Sequence, residues 1–184
     1  MDTDGIPPEY LRPQPTFHGT VELVEHDPAW AEQYAVRAKA VADALGDRVL
    51  LLEHCGSTSV PGLAAKPVID MLLLVADPAD EEAYVPDLEA AGFPLHLREP
   101  HWHEHRLFRQ DDPRVNLHVF GGGSPEAERM LLFRDRLRDV PEERAVYERT
   151  KRELATRTWG RVQDYADAKT EVVEAIIQRA READ

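Results

Sequence analysis

The chain has a single cysteine, Cys55, in 184 residues, so no intrachain disulfide can form and a cysteine-built zinc ribbon is excluded. A reducing compartment suits such a chain. Long hydrophobic runs are missing too. The most apolar stretches, residues 49–52 and 68–76, are far shorter than the roughly 20 residues a membrane-spanning helix needs. The opening stretch, 1–16, is polar and proline-rich, with no apolar segment like that of a secretory signal. A soluble, cytoplasmic protein with no membrane partner is therefore expected. Positive charge is scarce: 22 Lys and Arg stand against 35 Asp and Glu, a formal net charge of −13. That field repels phosphate backbones and anionic lipid, which disfavours generic nucleic-acid binding. It leaves room for a small anionic ligand, because a metal ion or a local ring of Arg and Lys inverts the field inside one cleft.

What is present is enough apolar material, 42 % of residues, for one sizeable core. Pro7, Pro8, Pro13 and Pro15 mark residues 1–18 as an extended arm, leaving 19–184 as a single domain. Residues 20–25 alternate as an edge strand would. Asp27-Pro28 then signals a helix start, and Gly46 a stop, around an apolar stripe of Trp30, Tyr34, Ala38, Val41 and Leu45. Strands are expected over 49–53 and 67–75, the second almost continuously apolar and hence central. A helix over 79–91 and two short strands, 106–109 and 116–120, follow, the strands joined by a turn at Asp111-Asp112-Pro113. Gly121-Gly122-Gly123 reads as a linker and Ser124-Pro125-Glu126 as a helix opening. Helices over about 125–139, 141–157 and 161–182 complete a mixed α/β (α+β) domain with a helical C-terminal third, which also offers a surface for a homodimer.

The chemistry concentrates in residues 54–70. Gly56-Ser57 between a strand and a helical turn lets backbone N–H groups approach an anion, and the hydroxyls of Ser57, Thr58 and Ser59 add donors. Asp70 interrupts an apolar strand, which is costly unless the carboxylate meets a cation or a hydrogen-bond partner. An oxyanion loop beside a core carboxylate is one way to hold a metal against a phosphate; a polar turn with a structural Asp is the plainer alternative. Cys55 reads as a small buried residue rather than a nucleophile.

Here the sequence resembles a known family. Gly56-Ser57-Thr58-Ser59-Val60-Pro61-Gly62-Leu63, then Lys66-Pro67, an apolar pair and Asp70, is similar to the signature of the GrpB family. The likeness continues through Pro100 to Arg106, Val115 to Phe120, Leu132-Phe133-Arg134-Asp135 and Tyr165-Ala166-Asp167-Ala168-Lys169, and covers roughly residues 20–180. The resemblance implies a nucleotidyltransferase-like fold, in a domain type that also occurs fused to dephospho-coenzyme A kinase. It implies a metal-dependent nucleotidyltransferase-like enzyme acting on a nucleotide or phosphorylated small molecule, with a nucleoside triphosphate as substrate and Mg, Mn or Zn as cofactor. In the superfamily pattern a Gly-Ser loop precedes an Asp-x-Asp/Glu pair. Gly56-Ser57 and Asp70 match with twelve residues between them, but Leu72 stands where the second acid belongs, and the later strand offers His118 instead of a third.

Histidine is the candidate replacement. If 101–105 is extended, His101, His103 and His105 share one face, and Asp70, His118, His103 and His105 become a metal-ligand set. Asp70, Glu104 and His118 are the catalytic candidates, although Glu104 can equally pair with Arg106. Gly56, Ser57, Thr58, Ser59, Lys66, Arg106 and Lys169 are the ligand-binding candidates, with Arg109 and Arg134 as further cations and structural contacts as the alternative for Arg134 and Asp135. Two other functions fit the same residues: hydrolysis or condensation at an activated carboxylate or phosphate, and binding of a nucleotide or metabolite without turnover.

Overall fold

A computed structural model describes residues 6–13 and 18–183. Helix α1, Ala29–Leu45, begins where the sequence signals it: Asp27 Oδ1 accepts the Ala29 N–H at 2.9 Å, and Gly46 ends the helix. Six strands among the described residues form one sheet: β1 Glu9–Tyr10, β2 Leu51–Cys55, β3 Ile69–Val75, β4 Leu95–Glu99, β5 His105–Asp111 and β6 Arg114–Gly121. Their order is β1-β4-β5-β6-β3-β2, with β3 and β6 parallel and every other pair antiparallel. After β3 come a 3-10 turn, Glu81–Ala83, and helix α2, Val85–Ala90; the C-terminal part consists of α3 Pro125–Asp139, α4 Pro141–Ala155, α5 Val162–Asp167 and α6 Thr170–Ala183. The mixed α/β domain with a helical C-terminal third is the expected class.

Strand alternation divides the core. Ile69, Met71, Leu73 and Val75 point to one face, where Trp30, Val41 and Leu45 of α1 and Leu88 of α2 bury them. Asp70, Leu72 and Leu74 point to the other. There Leu72 is completely buried with Cys55, Phe120 and Ala127, the last from α3. Cys55 is thus the small core residue its neighbours suggested. Each such side chain contributes roughly 1.5–3 kcal/mol by leaving water. A separate apolar cluster of Val60, Leu63, Leu137, Tyr147 and Ile176 ties the loop after β2 to α3, α4 and α6.

Several expectations change. The arm is not merely extended: Glu9 and Tyr10 add a strand to the β4 edge, while 1–5 and 14–17 lie outside the described residues. Residues 20–25 do not add an edge strand: they make only one isolated bridge, Val24 with Ala65. β4 was not anticipated. The helix over 79–91 is split, because Pro86 lacks an N–H and restricts the residue before it, so the helix restarts there. Residues 101–105 are not extended: His103 and Glu104 both have φ 53°, and Trp102 and His105 N–H bond back to Glu99 and Trp102 carbonyls in successive turns. The single C-terminal helix is broken at Ala168-Lys169, which turns Lys169 inward.

Candidate functional site

The site grows from the antiparallel pairing of β2 with β3. Cys55 lies opposite Asp70, so the chain leaving β2 passes directly over the carboxylate. Gly56 makes this possible. Its backbone has φ 67° and ψ −174°, a conformation essentially reserved for glycine, and a Cβ there would collide with the Asp70 side chain. A 3-10 turn, Ser57–Ser59, follows, with Ser59 N–H bonded to Gly56 O and Val60 N–H to Ser57 O.

The loop is held from all sides. Val68 O can only accept, so the Thr58 hydroxyl donates to it at 3.1 Å, and His54 Nε2–H donates in turn to Thr58 Oγ1 at 3.0 Å. His54 stacks on Tyr34, and burial lowers its pKa to about 4, which keeps it neutral. Ser59 Oγ donates to Gly56 O at 2.7 Å. From α3, Arg134 donates to His54 O at 3.0 Å and Arg138 donates twice to Ser59 O, at 3.1 and 2.9 Å. From α4, Lys151 Nζ donates to Ala64 O and, at 3.2 Å, to Ser57 Oγ.

Beside this loop lies a cavity of about 200 Å³. Gly56, Ser57, Thr58 and Asp70 form one wall, and Lys66, Lys151 and Lys169 reach it from three different segments. Tyr147, Tyr165 and Phe133 supply aromatic surface. Lys66 and Lys169 both lie over the Tyr165 ring, 5.6 and 4.8 Å from its centroid, and Lys151 lies 4.9 Å from that of Tyr147. Burial, helped by repulsion from Lys169, pushes the Lys151 pKa down to about 7 and that of Lys66 to about 8; burial also lowers Lys169, against the pull of Asp70. The hydroxyl of Tyr165, another lining residue, is buried without a hydrogen-bond partner among the described residues.

Among the described residues Asp70 is the only acid lining the cavity. Burial works to raise its pKa, but His118, the Asn116 amide and Lys66 outweigh that and hold it below the ordinary carboxylate value. Asn116 Nδ2 donates to Asp70 Oδ1 at 2.9 Å; Arg109 Nε donates to Asn116 Oδ1 at 3.2 Å. His118, one step along β6, places Nε2 3.9 Å from Asp70 Oδ1.

The sequence profile described as GrpB protein matches residues 20–179. The chain belongs to the GrpB family. It is 51 % identical over 163 residues to a UPF0157 protein of Halalkalibacterium halodurans, covering 89 % of this chain and 84 % of that one. The GrpB protein of Enterococcus faecalis, known from a crystal structure, is similar with a TM-score of 0.71 at 29 % identity, over 88 % of this chain and 98 % of that one. A dephospho-CoA kinase of Mycolicibacterium paratuberculosis is 32 % identical over 176 residues, which is 81 % of this chain and 43 % of that longer protein.

In this GrpB-family site the fold brings together Gly56, Ser57, Thr58, Lys66, Asp70 and Lys169, with His118 adjacent. Ser59 turns into the loop and serves its geometry. Arg106 lies on the opposite face of the sheet, its Nε 2.7 Å from Glu81, so it does not reach the pocket. Glu104 and His103 are exposed in the turn after β4; Glu104 touches Arg106 at 3.4 Å, the pairing weighed as its alternative. His105 is buried against His118 instead of beside His103. Arg134 and Asp135 make a structural contact with each other at 2.7 Å, the alternative weighed for them. Lys151 was missed. Its signal is positional: Lys151 falls between Tyr147 and Leu154 on the buried stripe of α4 that Glu143 begins, and a lysine there calls for a partner.

The residues present do not fit a resident divalent cation. Among the described residues no group of three or more His, Cys, Asp or Glu could hold one. Leu72, two residues beyond Asp70 on the same face of β3, is sealed under α3. The cavity around Asp70 is lined by three lysines, which repel a cation. No helix of the described residues is long and apolar enough to cross a membrane.

Proposed function

We propose that the pocket binds the phosphate groups of a nucleotide or another phosphorylated small molecule, and that the chain is a nucleotidyltransferase-like group-transfer protein. One observation carries this reading: Lys66, Lys151 and Lys169 converge on one cavity in a chain of net charge −13. Holding three ammonium groups out of water is costly, and an anion among them offsets that cost. Lysines would then supply the charge neutralisation that metal ions supply in two-metal transferases. The Ser57 hydroxyl adds a donor toward a phosphate oxygen, and Asp70, held ionised, accepts a hydrogen bond from a ligand hydroxyl and orients it.

The test is calorimetry with pyrophosphate, ATP and dephospho-coenzyme A, each in EDTA and then with Mg²⁺; the last ligand is chosen because one relative carries the name of a kinase acting on it. Binding in EDTA, weakened at least tenfold by Lys169→Met and by Lys151→Met, is the expected result. A thermal shift equivalent to about 2.7 kcal/mol should accompany ligand at a hundred times its Kd. Failure of every phosphorylated compound to bind would sink the proposal. The buried Leu72 favours a second reading, binding without turnover. Product formation followed by ³¹P NMR separates the two.

A further inference from the structure

On the side of Asp70 away from the loop, four strands contribute one side chain each to a continuous line. Glu99 Oε2 lies 2.6 Å from His105 Nδ1, His105 Nε2 lies 3.1 Å from His118 Nδ1, and His118 Nε2 lies 3.9 Å from Asp70 Oδ1. Counting donors assigns the protons. An ionised carboxylate only accepts, so His105 Nδ1 carries a hydrogen and gives it to Glu99. Burial, opposed by Glu99, lowers the His105 pKa to about 4, so this ring is neutral and its Nε2 is bare. A bare Nε2 accepts, and His118 Nδ1 therefore carries the next hydrogen. With Nδ1 so occupied, His118 Nε2 faces the Asp70 carboxylate as a lone pair when the ring is neutral and as an N–H donor when it is protonated, and of the two only the donor form holds the Asp70 pKa down.

The ring planes are fixed as well. His105 stacks on Phe120 with centroids 4.7 Å apart and on His118 at 5.2 Å, and Trp102 meets it edge-on at 5.3 Å. With His118 neutral, two acceptors are thus aimed at one another across a gap too wide for a direct hydrogen bond, in partly open space: 23 % of the His118 side chain and 27 % of that of Asp70 are exposed. A group with a hydrogen to give fits between them. A buried carboxylate–imidazole pair that sets the tautomer of a second base is the logic by which nucleophiles are activated in hydrolases.

We propose that Glu99 and His105 are positioning residues that lock His118 in its Nδ1–H tautomer, so that His118 Nε2 and Asp70 each accept one hydrogen of the water that attacks a phosphorus held in the lysine pocket. This rests on the phosphorylated-ligand reading above. In the step, the O–H proton passes to His118 Nε2 as that oxygen bonds to phosphorus. The leaving oxygen departs with the electron pair of the broken P–O bond, as an anion held by the lysines. The imidazolium, stabilised through His105 by Glu99, then returns its proton to water.

The experiment is two-bond ¹H–¹⁵N NMR of the histidine rings in the free protein, at a pH where His118 is neutral. It needs no ligand, so its failure is distinct from a failure of phosphate binding. Wild type should show His118 as the Nδ1–H form. His105→Phe keeps an aromatic ring in the stack while cutting the line, and His118 should revert mainly to the Nε2–H form that free imidazole side chains prefer. Glu99→Leu should do the same. Carbethoxylation of His118, read by mass spectrometry, should slow at least threefold in His105→Phe while the exposed His101 and His103 react unchanged. An Nε2–H ring in wild type, or one tautomer and one reactivity in all three proteins, would overturn the proposal.

Discussion

Replacing Gly56 by alanine tests whether the loop and the carboxylate are built as one unit. The native backbone, φ 67° and ψ −174°, is one an alanine adopts only under strain of about 1–3 kcal/mol. The new methyl would also meet the Asp70 side chain, with Cβ at 2.9 Å and Cγ at 3.0 Å and a carboxylate oxygen closer still. Forcing a methyl group into a packed site costs a further 1–3 kcal/mol or so, for a total of roughly 2–6 kcal/mol. Set against a typical domain stability of about 5–15 kcal/mol, that is large enough to read by urea unfolding monitored by tryptophan fluorescence. The informative arm is the double variant. Asp70→Ala removes the carboxylate but keeps the Cβ, so it should relieve part of the collision and none of the backbone strain. Gly56→Ala should therefore cost less in the Asp70→Ala background, by roughly 0.5–3 kcal/mol. Strict additivity of the two changes, or a cost for Gly56→Ala below about 1 kcal/mol, would show that loop and carboxylate are not in contact as described.

The lysines give pH predictions of definite sign. In the empty pocket the Lys151 and Lys66 pKa values, about 7 and about 8, lie below the ordinary 10.5, so the unfolded chain binds more protons across that window and stability should rise as pH climbs from about 7 toward 9. Urea midpoints across that range check this, and a flat or falling profile that Lys151→Met leaves unchanged would refute it. A bound phosphate reverses the preference, so pyrophosphate binding should take up protons and weaken with rising pH, by up to about tenfold per unit for each proton gained. Calorimetry in buffers of different ionisation enthalpy measures the uptake. Arg138→Ala removes both donors to Ser59 O and should destabilise the chain by about 1–3 kcal/mol in chemical denaturation. Prolonged EDTA treatment should leave the melting temperature unchanged, since the described residues offer no group of three or more His, Cys, Asp or Glu to hold a cation.

Much of the architecture was legible where a local cause decides it. Asp27-Pro28 and Gly46 bracket α1, Pro125 opens α3, and the apolar run ending at Val75 belongs to an internal strand, with Asp70 conspicuous as its one interruption. The Gly56-Ser57 loop could be placed because its neighbours in sequence are its neighbours in space. What escaped notice was decided by distant contacts. The turn at His103 and Glu104 places two non-glycine residues at positive φ, which no local preference favours, and β4 pairs with an arm read only as an extended segment with little to bury. Lys151 follows Ser57 by 94 positions, and only the packing of α4 against the loop brings them together.

The burial of Leu72 also fixes what the site can accept. A substitution to Asp would create an Asp-x-Asp pair, yet it would place an unpaired carboxylate among Cys55, Phe120 and Ala127, at a cost of several kcal/mol. Gaining a second acid would require α3 to lift away first, and α3 is the helix whose arginines hold the loop. The packing that holds the loop over Asp70 is thus the same packing that keeps a second acid off this face of β3.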